Sequence, residues 1–394
     1  MRTALSRLPP RACLSRLVVK PADIAARATV LALVRLCLTR YSRSHQAVRF
    51  LQQALSHRPD PAVLHLLGLI NPVLVITGNI AGDMAVAMGV VYMLGVGPVL
   101  DWLLGEARPA RPAPESGTAF EALLRAHAVL QLIAVATLLH RAQLDANAWT
   151  TWVAALSTGL CSGASGIIVA HELGHKRPSW STGVLRFLCL WSVLYAHFTT
   201  EHNHTHHKHV ATPADPATAR YGESLWAFVL RTVPGQFTDA WAVHERKGRT
   251  GLRNPMWHGL AGAAAMLAAI HWAIGAWPLM AFIAQAAFAV FLLEYINYIR
   301  HYGLQRQAGE RLRACHAWQS ESRWSRWTLL ELTRHPAHHL SASVPFWRLQ
   351  PEADAPCLPG GYYSCFWLAV VPSVWRARVH PRLPTQSPVA GKRG

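Results

Sequence analysis

Residues 64–104 read LHLLGLINPVLVITGNIAGDMAVAMGVVYMLGVGPVLDWLL, two apolar runs that meet at Gly82-Asp83. Each run is close to the ~20 residues that a helix needs to cross a bilayer, and Gly82-Asp83 predicts a tight turn between them. Four further runs of similar length follow, at 119–140, 149–170, 256–277 and 279–299, and Pro278 is predicted to break the last two apart. The sequence therefore predicts an all-α fold, a polytopic membrane bundle of about six transmembrane helices.

A seventh apolar run, VLRFLCLWSVLYAHF (184–198), is shorter than the others. At ~1.5 Å per residue it reaches only ~23 Å, whereas the hydrocarbon core of a bilayer is ~30 Å thick. We therefore expect a helix that dips into the membrane or packs against the bundle without crossing it.

The composition agrees with a membrane protein that has sizeable polar parts. Hydrophobic residues make up 52% of the 394 residues and charged residues only 15%, well below the quarter that is usual in soluble domains. The net charge of +18 indicates basic loops on one membrane side and contact with anionic lipid headgroups. Because the basic residues lie between and beside apolar runs, no nucleic-acid partner is predicted.

The seven cysteines do not form the spaced pairs of a disulfide framework or of a metal-binding ribbon. Their number is odd and no two are separated as C-x-x-C, which excludes a fused rubredoxin-like or zinc-ribbon module. Such thiols are typical of a chain whose polar parts face a reducing cytoplasm. The cysteines are Cys13, Cys37, Cys161, Cys189, Cys315, Cys357 and Cys365.

The loops carry an asymmetric charge that predicts the topology. Basic residues cluster at Arg108, Arg111, Lys176, Arg177 and throughout 208–253, all on one side of the predicted bundle. The opposite loops are short and carry little charge. The positive-inside rule therefore places both termini and every histidine cluster on the cytoplasmic side, where they form a histidine-rich cap on the bundle.

Nine of the 22 histidines stand at helical spacing in four short segments. Residues three or four apart are neighbours on a helix, so each multi-histidine segment can direct its imidazoles at one point. Three of the segments follow an apolar run on the same predicted side. The nine are His171 and His175 in HELGH, His202, His206 and His207 in EHNHTHH, His301 in NYIRHYG, and His335, His338 and His339 in RHPAHH.

Nine imidazoles exceed the needs of one metal ion. A zinc site takes four ligands, whereas two iron ions with five or six ligands each would use nine imidazoles and keep open positions for O2. Carboxylates and amides near such a site orient its histidines. The candidates for that supporting role are Glu172, Glu201, Glu294 and Asn297.

Two other classes of protein could use part of this pattern. A membrane zinc metalloprotease would use HELGH as H-E-x-x-H with Glu172 as the base, but this explains only His171 and His175. A metal transporter would place its ligands near the bilayer midplane, whereas these segments lie at one membrane face. Neither class explains the four segments together.

The chain resembles the membrane-bound non-haem di-iron alkane monooxygenases, within the wider group of fatty-acid desaturases and hydroxylases. The resemblance extends over about residues 64–383 and rests on several motifs. These are LDWLLGE (100–106), HELGHK (171–176), EHNHTHH (201–207), ATPADPATARYGESLWAF (211–228), NYIRHYGL (297–304), AWQS (317–320), RHPAHH (334–339) and APCLPGGY (355–362).

The resemblance implies an enzyme that hydroxylates the terminal methyl group of medium- or long-chain alkanes at two iron ions held by the nine histidines. Methyl hydroxylation of alkyl-aromatics, as in xylene monooxygenase, and fatty-acid desaturation remain alternatives. It implies O2 and a hydrophobic hydrocarbon as substrates, and electrons from rubredoxin or ferredoxin with an NAD(P)H-dependent reductase. The implied location is a bacterial-type inner membrane, with the active site on its cytoplasmic side.

The chain departs from the family pattern at three positions. His204 and Thr205 replace the arginine and glycine of the usual EHNRGHH, and Arg300 replaces the glutamate of the usual NYIEHYG. The change at Arg300 reverses a charge beside a predicted ligand. Residues 1–60 form a basic extension predicted to be poorly ordered or a membrane-surface helix, residues 61–383 form the monooxygenase domain, and residues 384–394 form a basic tail.

Overall fold

The computed structural model describes residues 60–107, 112–114, 116–177, 179–307 and 309–384. The predicted N-terminal extension and C-terminal tail lie almost wholly outside the described residues. Within the described part the chain is helical and forms no β-strand, as the apolar periodicity predicts.

The helices are numbered here in chain order. The first four are α1 (Ala62–Ala81), α2 (Asp83–Leu104), α3 (Thr118–Asp145) and α4 (Trp149–Gly174). Three helices outside the spans follow, α5 (Trp180–Trp191), α6 (198–209) and α7 (Leu225–Arg246). The last long helices are α8 (Met256–Ile274) and α9 (Ala276–His301). Four short helices complete the described chain: α10 (Arg323–Thr328), α11 (His335–Leu340), α12 (Tyr362–Ala369) and α13 (Pro372–Val379).

Six of these helices, α1–α4, α8 and α9, are long and apolar enough to cross a membrane, which confirms the predicted number of spans in the described residues. The turn predicted at Gly82-Asp83 is also present, with φ of 78° at Gly82. The break between the last two spans was predicted wrongly. It lies at Gly275, which has φ of 106°, and Pro278 lies in the first turn of α9. A proline is tolerated there because the first amides of a helix have no acceptor within the helix.

The seventh apolar run forms a helix that begins and ends earlier than predicted. Helix α5 begins at Trp180, where the Ser179 side chain accepts a hydrogen bond from the Thr182 amide, and ends at Trp191. The chain then turns through Leu194, which has φ of 55°. This turn separates α5 from α6, so the second half of the apolar run does not extend the helix.

Helix α4 occupies the centre of the bundle. In the most apolar stretch of α4, 89% of the residues are buried, whereas the corresponding share is 0% in α8 and 50% in α9. Small residues allow α9 to approach: a Cβ at Gly159 would lie 2.5 Å from Phe288, and one at Gly163 would lie 2.8 Å from Leu292. Such small-residue contacts are the usual packing device between membrane helices. The cytoplasm-directed end of α4 in the predicted topology is HELGH.

Asp101 connects the end of α2 to two of the short helices. Its buried carboxylate accepts hydrogen bonds from Ser325 on α10, at 2.8 Å from the hydroxyl, and from the amides of Tyr363 and Ser364 on α12, each at 3.1 Å. A buried carboxylate needs such donors to offset the loss of water. Asp101 thereby fixes α10 and α12 against the end of the bundle that carries the histidine segments.

Candidate metal centre

The first pair of imidazoles comes from the end of α4. His171 lies in the last turn of α4 and His175 follows Gly174 at its C-terminal end. The ring centroids of the two histidines are 5.1 Å apart, as expected for residues at i and i+4. HELGH thus presents two imidazoles on one face.

Helix α6 carries three imidazoles but distributes them differently from a regular α-helix. Residues His202–His206 form a π-helical turn, in which residues five apart share a face. The Nε2 atoms of His202 and His207 are accordingly 3.1 Å apart, while His206 turns toward another set of histidines. The π turn lets a single short helix contribute to two sites.

The remaining four imidazoles come from the end of α9 and from α11. His301 is the last residue of α9, and its Nε2 lies 3.0 Å from that of His335. On α11, His339 approaches His335, with the two Nε2 atoms 2.9 Å apart. His338, on another face of α11, lies 3.1 Å from the Nε2 of His207.

The structure brings all nine histidines together in two adjacent groups. Within each group the ligand atoms all lie within 4.8 Å of one another. The two groups adjoin, because the rings of His207 and His339 are 4.5 Å apart. The first group contains His171, His175, His202, His207 and His338, and the second contains His206, His301, His335 and His339.

The donor set fits a pair of cations. The pKa of His207 is lowered to about 2 and that of His175 to about 4, mainly by burial and to a smaller extent by the neighbouring imidazoles. Both rings are therefore neutral at physiological pH. A neutral imidazole has one nitrogen that donates and one that accepts, and only the neutral form binds a metal. Several Nε2 atoms meeting at about 3 Å cannot all be satisfied by one another, whereas a cation between them would accept every lone pair.

A carboxylate orients one of these rings. Asp215 Oδ2 accepts a hydrogen bond from His206 Nδ1 at 2.9 Å, and both side chains are buried. The bond places the proton on Nδ1 and leaves the buried Nε2, which has no hydrogen-bond partner among the described residues, free to bind a metal. Asp215 was absent from the predicted supporting residues, although it lies in the quoted motif ATPADPATARYGESLWAF.

Replacing Asp215 with asparagine is expected to weaken metal binding at the second group by ~10- to 100-fold, the usual loss when such a partner is removed. Asparagine has one side-chain oxygen: when it accepts from the Ala217 amide, as Asp215 Oδ1 does, an NH2 group replaces the Oδ2 that accepts from His206 and Thr218. The measurement is metal retention against a graded series of chelator concentrations. Asp354→Asn, which removes an exposed carboxylate, is the control. Equal retention by the two variants would contradict the role given to Asp215.

An apolar pocket opens beside the first group. Its wall is mostly apolar, as is usual for small-molecule sites. Side chains from α2, α4, α9 and α12 line it, among them Met93, Ile168, Leu292 and Phe366. His171 and His202 line the same pocket. The pocket can therefore hold an apolar molecule within reach of the histidine groups.

Comparison with known proteins agrees with this arrangement. Residues 147–369, which contain all nine histidines, match the family model of fatty acid desaturases. The chain is 35% identical to alkane 1-monooxygenase 1 of Pseudomonas aeruginosa over 318 residues, 75% of this chain and 82% of the relative. It is 32% identical to alkane 1-monooxygenase 2 of Alcanivorax borkumensis over 318 residues, 74% of this chain and 81% of the relative.

The chain belongs to the alkane 1-monooxygenase family. A more distant relative is the xylene/toluene monooxygenase hydroxylase component XylM of Pseudomonas putida, 29% identical over 232 residues, which are 57% of this chain and 62% of the relative. The family membership confirms the resemblance inferred from the motifs and identifies the chain as an oxidoreductase of the monooxygenase type.

None of the four supporting residues predicted from the sequence forms a hydrogen bond with one of the nine histidines in the described part of the chain. Glu172 Oε1 accepts from the Phe346 amide at 3.3 Å. Glu294 accepts from Gln236 at 2.8 Å and from Asn297 at 3.2 Å. Glu201 is buried, and its Oε1 has no hydrogen-bond partner in the described part of the chain. Burial, and then the nearby carboxylates, raise the pKa of Glu201 well above its usual range. Their role in orienting the histidines stays a prediction.

The sequence did not predict the buried ionic network beneath α11. Arg326 donates to Glu331 Oε2 at 2.7 Å, and Arg334 donates to Glu321 Oε2 at 2.9 Å. His65 on α1 lies 3.0 Å from Glu331 Oε1. These partners come from α1 and from residues 321–334, and they fix the residues that precede His335.

Of the three departures from the family pattern, His204 and Thr205 lie outside the pocket lining and Arg300 lies within it. His204 is exposed and its Nε2 is 3.0 Å from Lys247 Nζ, so it points away from the nine histidines. Thr205 is buried within α6. Arg300, in contrast, lines the pocket together with His171 and His202.

Proposed function

We propose that this chain hydroxylates the terminal methyl group of medium- or long-chain alkanes, with O2, to a primary alcohol. The nine histidines would hold two iron ions, five imidazoles around one and four around the other. The observation that carries the proposal is that two histidines of the first imidazole group, His171 and His202, line an apolar pocket, with the second group adjoining the first. The alkane 1-monooxygenases to which the chain is similar support the choice of substrate.

The number of imidazoles favours iron over zinc. Zinc in proteins is usually tetrahedral, and the first group offers five nitrogens before any substrate binds. Imidazole suits ferrous iron, which accepts five or six ligands and can keep a position open. A zinc metalloprotease would use only His171 and His175, and it would leave the other seven buried imidazoles without a role.

The protein's part in the reaction is to bind, orient and keep out water. When bound, the metal centre supplies the activation of O2 and the cleavage of the methyl C–H bond. The side chains of Ile167, Ile168, Leu292 and Leu293 exclude water from the pocket and hold a hydrocarbon by apolar contact alone. Because such contacts have no direction, the shape of the pocket beside His171 and His202 would determine which part of the hydrocarbon lies next to the metal centre.

Electrons would come from a separate protein, rubredoxin or ferredoxin with an NAD(P)H-dependent reductase. The absence of any C-x-x-C pair from the sequence supports an external donor, since a fused iron–sulfur or rubredoxin module would need such pairs. The basic loops favour a bacterial-type inner membrane with the histidine groups on the cytoplasmic side.

The proposal is tested by product analysis. The iron-loaded protein in lipid nanodiscs receives n-alkanes of graded length, O2, rubredoxin, its reductase and NADH, and the products are separated by gas chromatography. Primary alcohols are expected. Oxidation of methylarenes alone would assign the chain to chemistry of the XylM type, and an alkene product would indicate a desaturase; either result would contradict the proposal.

The pocket wall predicts an effect on chain length. Ala164 lines the pocket seven residues before His171 on α4, which is ~10.5 Å along the helix. Ala164→Phe is expected to lower turnover of long alkanes by at least ~10-fold, because the ring fills space that the far end of a long chain would occupy. Short alkanes measured with the same variant are the control and are expected to retain most of their turnover. A uniform loss across all lengths would contradict the assignment of this pocket to the substrate.

A further inference from the structure

The pocket contains a buried cation that a hydrocarbon substrate does not explain. Arg300 lies in the last turn of α9 and is 3% exposed. It lines the pocket together with His171 and His202. No acidic side chain lines the pocket, and no carboxylate pairs with Arg300 among the described residues. A desolvated guanidinium without a counter-ion is costly in an apolar site.

Protein groups satisfy only part of the Arg300 side chain. Its Nε donates to the Tyr362 hydroxyl at 3.1 Å, and Nη2 donates to the Leu332 carbonyl at 3.3 Å. These are the hydrogen bonds that the Arg300 side chain makes within the described part of the chain, and Arg300 lines the pocket. The two bonds hold the guanidinium in place while its remaining donors stay available. Guanidinium donors in a fixed plane match the two oxygens of a carboxylate.

Charge near Arg300 strengthens this preference. The imidazoles contribute no negative charge, and any cations that they hold add positive charge beside the pocket, which His171 and His202 line. Apart from Asn297 and three tyrosines, the rest of the wall is apolar and runs along α4 from Gly163 to His171. The pocket therefore combines Arg300 and two histidines with a mostly apolar remainder.

We propose that this pocket binds an alkyl carboxylate, with its carboxylate on Arg300 and its chain along the apolar wall between α4 and α9. Such a ligand supplies the missing counter-ion and fills the apolar space at the same time. Its carboxylate end, rather than its methyl end, lies next to the histidine groups. The inference rests on the proposed function only in taking this pocket as the site beside the metal centre, and it defines a class of ligand that an unsubstituted alkane does not represent.

Equilibrium dialysis tests the proposal without O2 or an electron donor. Labelled decanoate, decanol and acetate are each equilibrated with the full-length protein in nanodiscs, and binding to empty discs is subtracted. Decanoate is expected to bind more tightly than either of the others. In Arg300→Gln its dissociation constant is expected to rise by ~10- to 100-fold, the worth of a hydrogen bond to a charged group, while that of decanol stays unchanged.

Two variants separate binding from a structural effect. Arg378→Gln removes an exposed arginine and is expected to bind decanoate like the unchanged protein. Tyr362→Phe removes the partner of Nε but keeps the charge, so its effect on decanoate is expected to be far smaller than that of Arg300→Gln. The thermal midpoint of each variant shows whether it is folded.

Three results would overturn the inference. The first is that acetate binds as tightly as decanoate. The second is that Arg300→Gln weakens the binding of decanoate and of decanol equally, and the third is that this variant binds decanoate as tightly as the unchanged protein. Because the assay needs no turnover, a failure here leaves alkane hydroxylation untouched. Conversely, a chain that binds decanoate but oxidises no alkane would contradict the proposed function alone.

Discussion

Replacing His335 with alanine is expected to reduce the iron content from two to at most one ion per chain and to lower turnover by more than ~100-fold. Loss of a group that merely orients a ligand already costs ~10- to 100-fold, and His335 would be a ligand itself. Its Nε2 lies 3.0 Å from that of His301 and 2.9 Å from that of His339, so its removal opens the middle of the second group. Metal analysis and alcohol formation are measured on the same sample.

His209→Ala provides the matched control for this prediction. His209 lies in the same histidine-rich stretch as His206 and His207 but belongs to neither group. We expect it to keep both iron ions and most of the turnover. If His335→Ala retained all its iron and only turned over more slowly, His335 would have to be removed from the set of ligands.

The second large effect is expected from Glu331→Gln. Glu331 is buried and contacts Arg326, Arg334 and His65. Burial alone would raise the pKa of Glu331, but the two arginines outweigh it and hold that pKa well below its usual value, so the group is ionised at neutral pH. Removing the negative charge from such a buried network lowers the free energy of unfolding by ~3–5 kcal/mol, because buried cations are left without a counter-ion.

The measurement for Glu331→Gln is the free energy of unfolding, taken from denaturant titration in micelles, together with the iron content. Glu331 and its neighbour Leu330 both have φ near 50°, an unusual conformation for side chains of this size, and they lie just before His335. Loss of the network is therefore expected to release iron as well as to lower stability. Glu310→Gln, which removes an exposed partner of Arg313, is the control and should change neither quantity. Unaltered stability in Glu331→Gln would show that the network does not fix this turn.

The sequence was sufficient to predict the spans and the nine histidines for a physical reason. Both signals are local: a span is a run of apolar residues, and a histidine pair at i and i+4 needs only one turn of helix. Three of the four segments contain their own spacing pattern, and α4 and α9 end at HELGH and NYIRHYG in the structure, as the apolar runs predict. Convergence then follows from the packing of α4 against α9.

The remaining features depend on contacts between distant residues or on small changes of helix geometry. The division of EHNHTHH between two groups requires the π turn at His202–His206, which the regular helical period does not predict. Asp215, which lies in the loop after α6, accepts a hydrogen bond from His206. Glu331 contacts His65, which lies 266 positions earlier in the chain. The break at Gly275 rather than Pro278 reflects the tolerance of a helix's first turn for proline. None of these features has a signature within one window of sequence.

The central claim is that the two imidazole groups hold two iron ions, and metal analysis of the purified protein in lipid tests it most directly. Metal content per chain is determined by mass spectrometry after the protein has been loaded with iron and zinc in equal amounts and dialysed. We predict two equivalents of iron per chain and little zinc. A single equivalent of zinc with no iron would contradict the account.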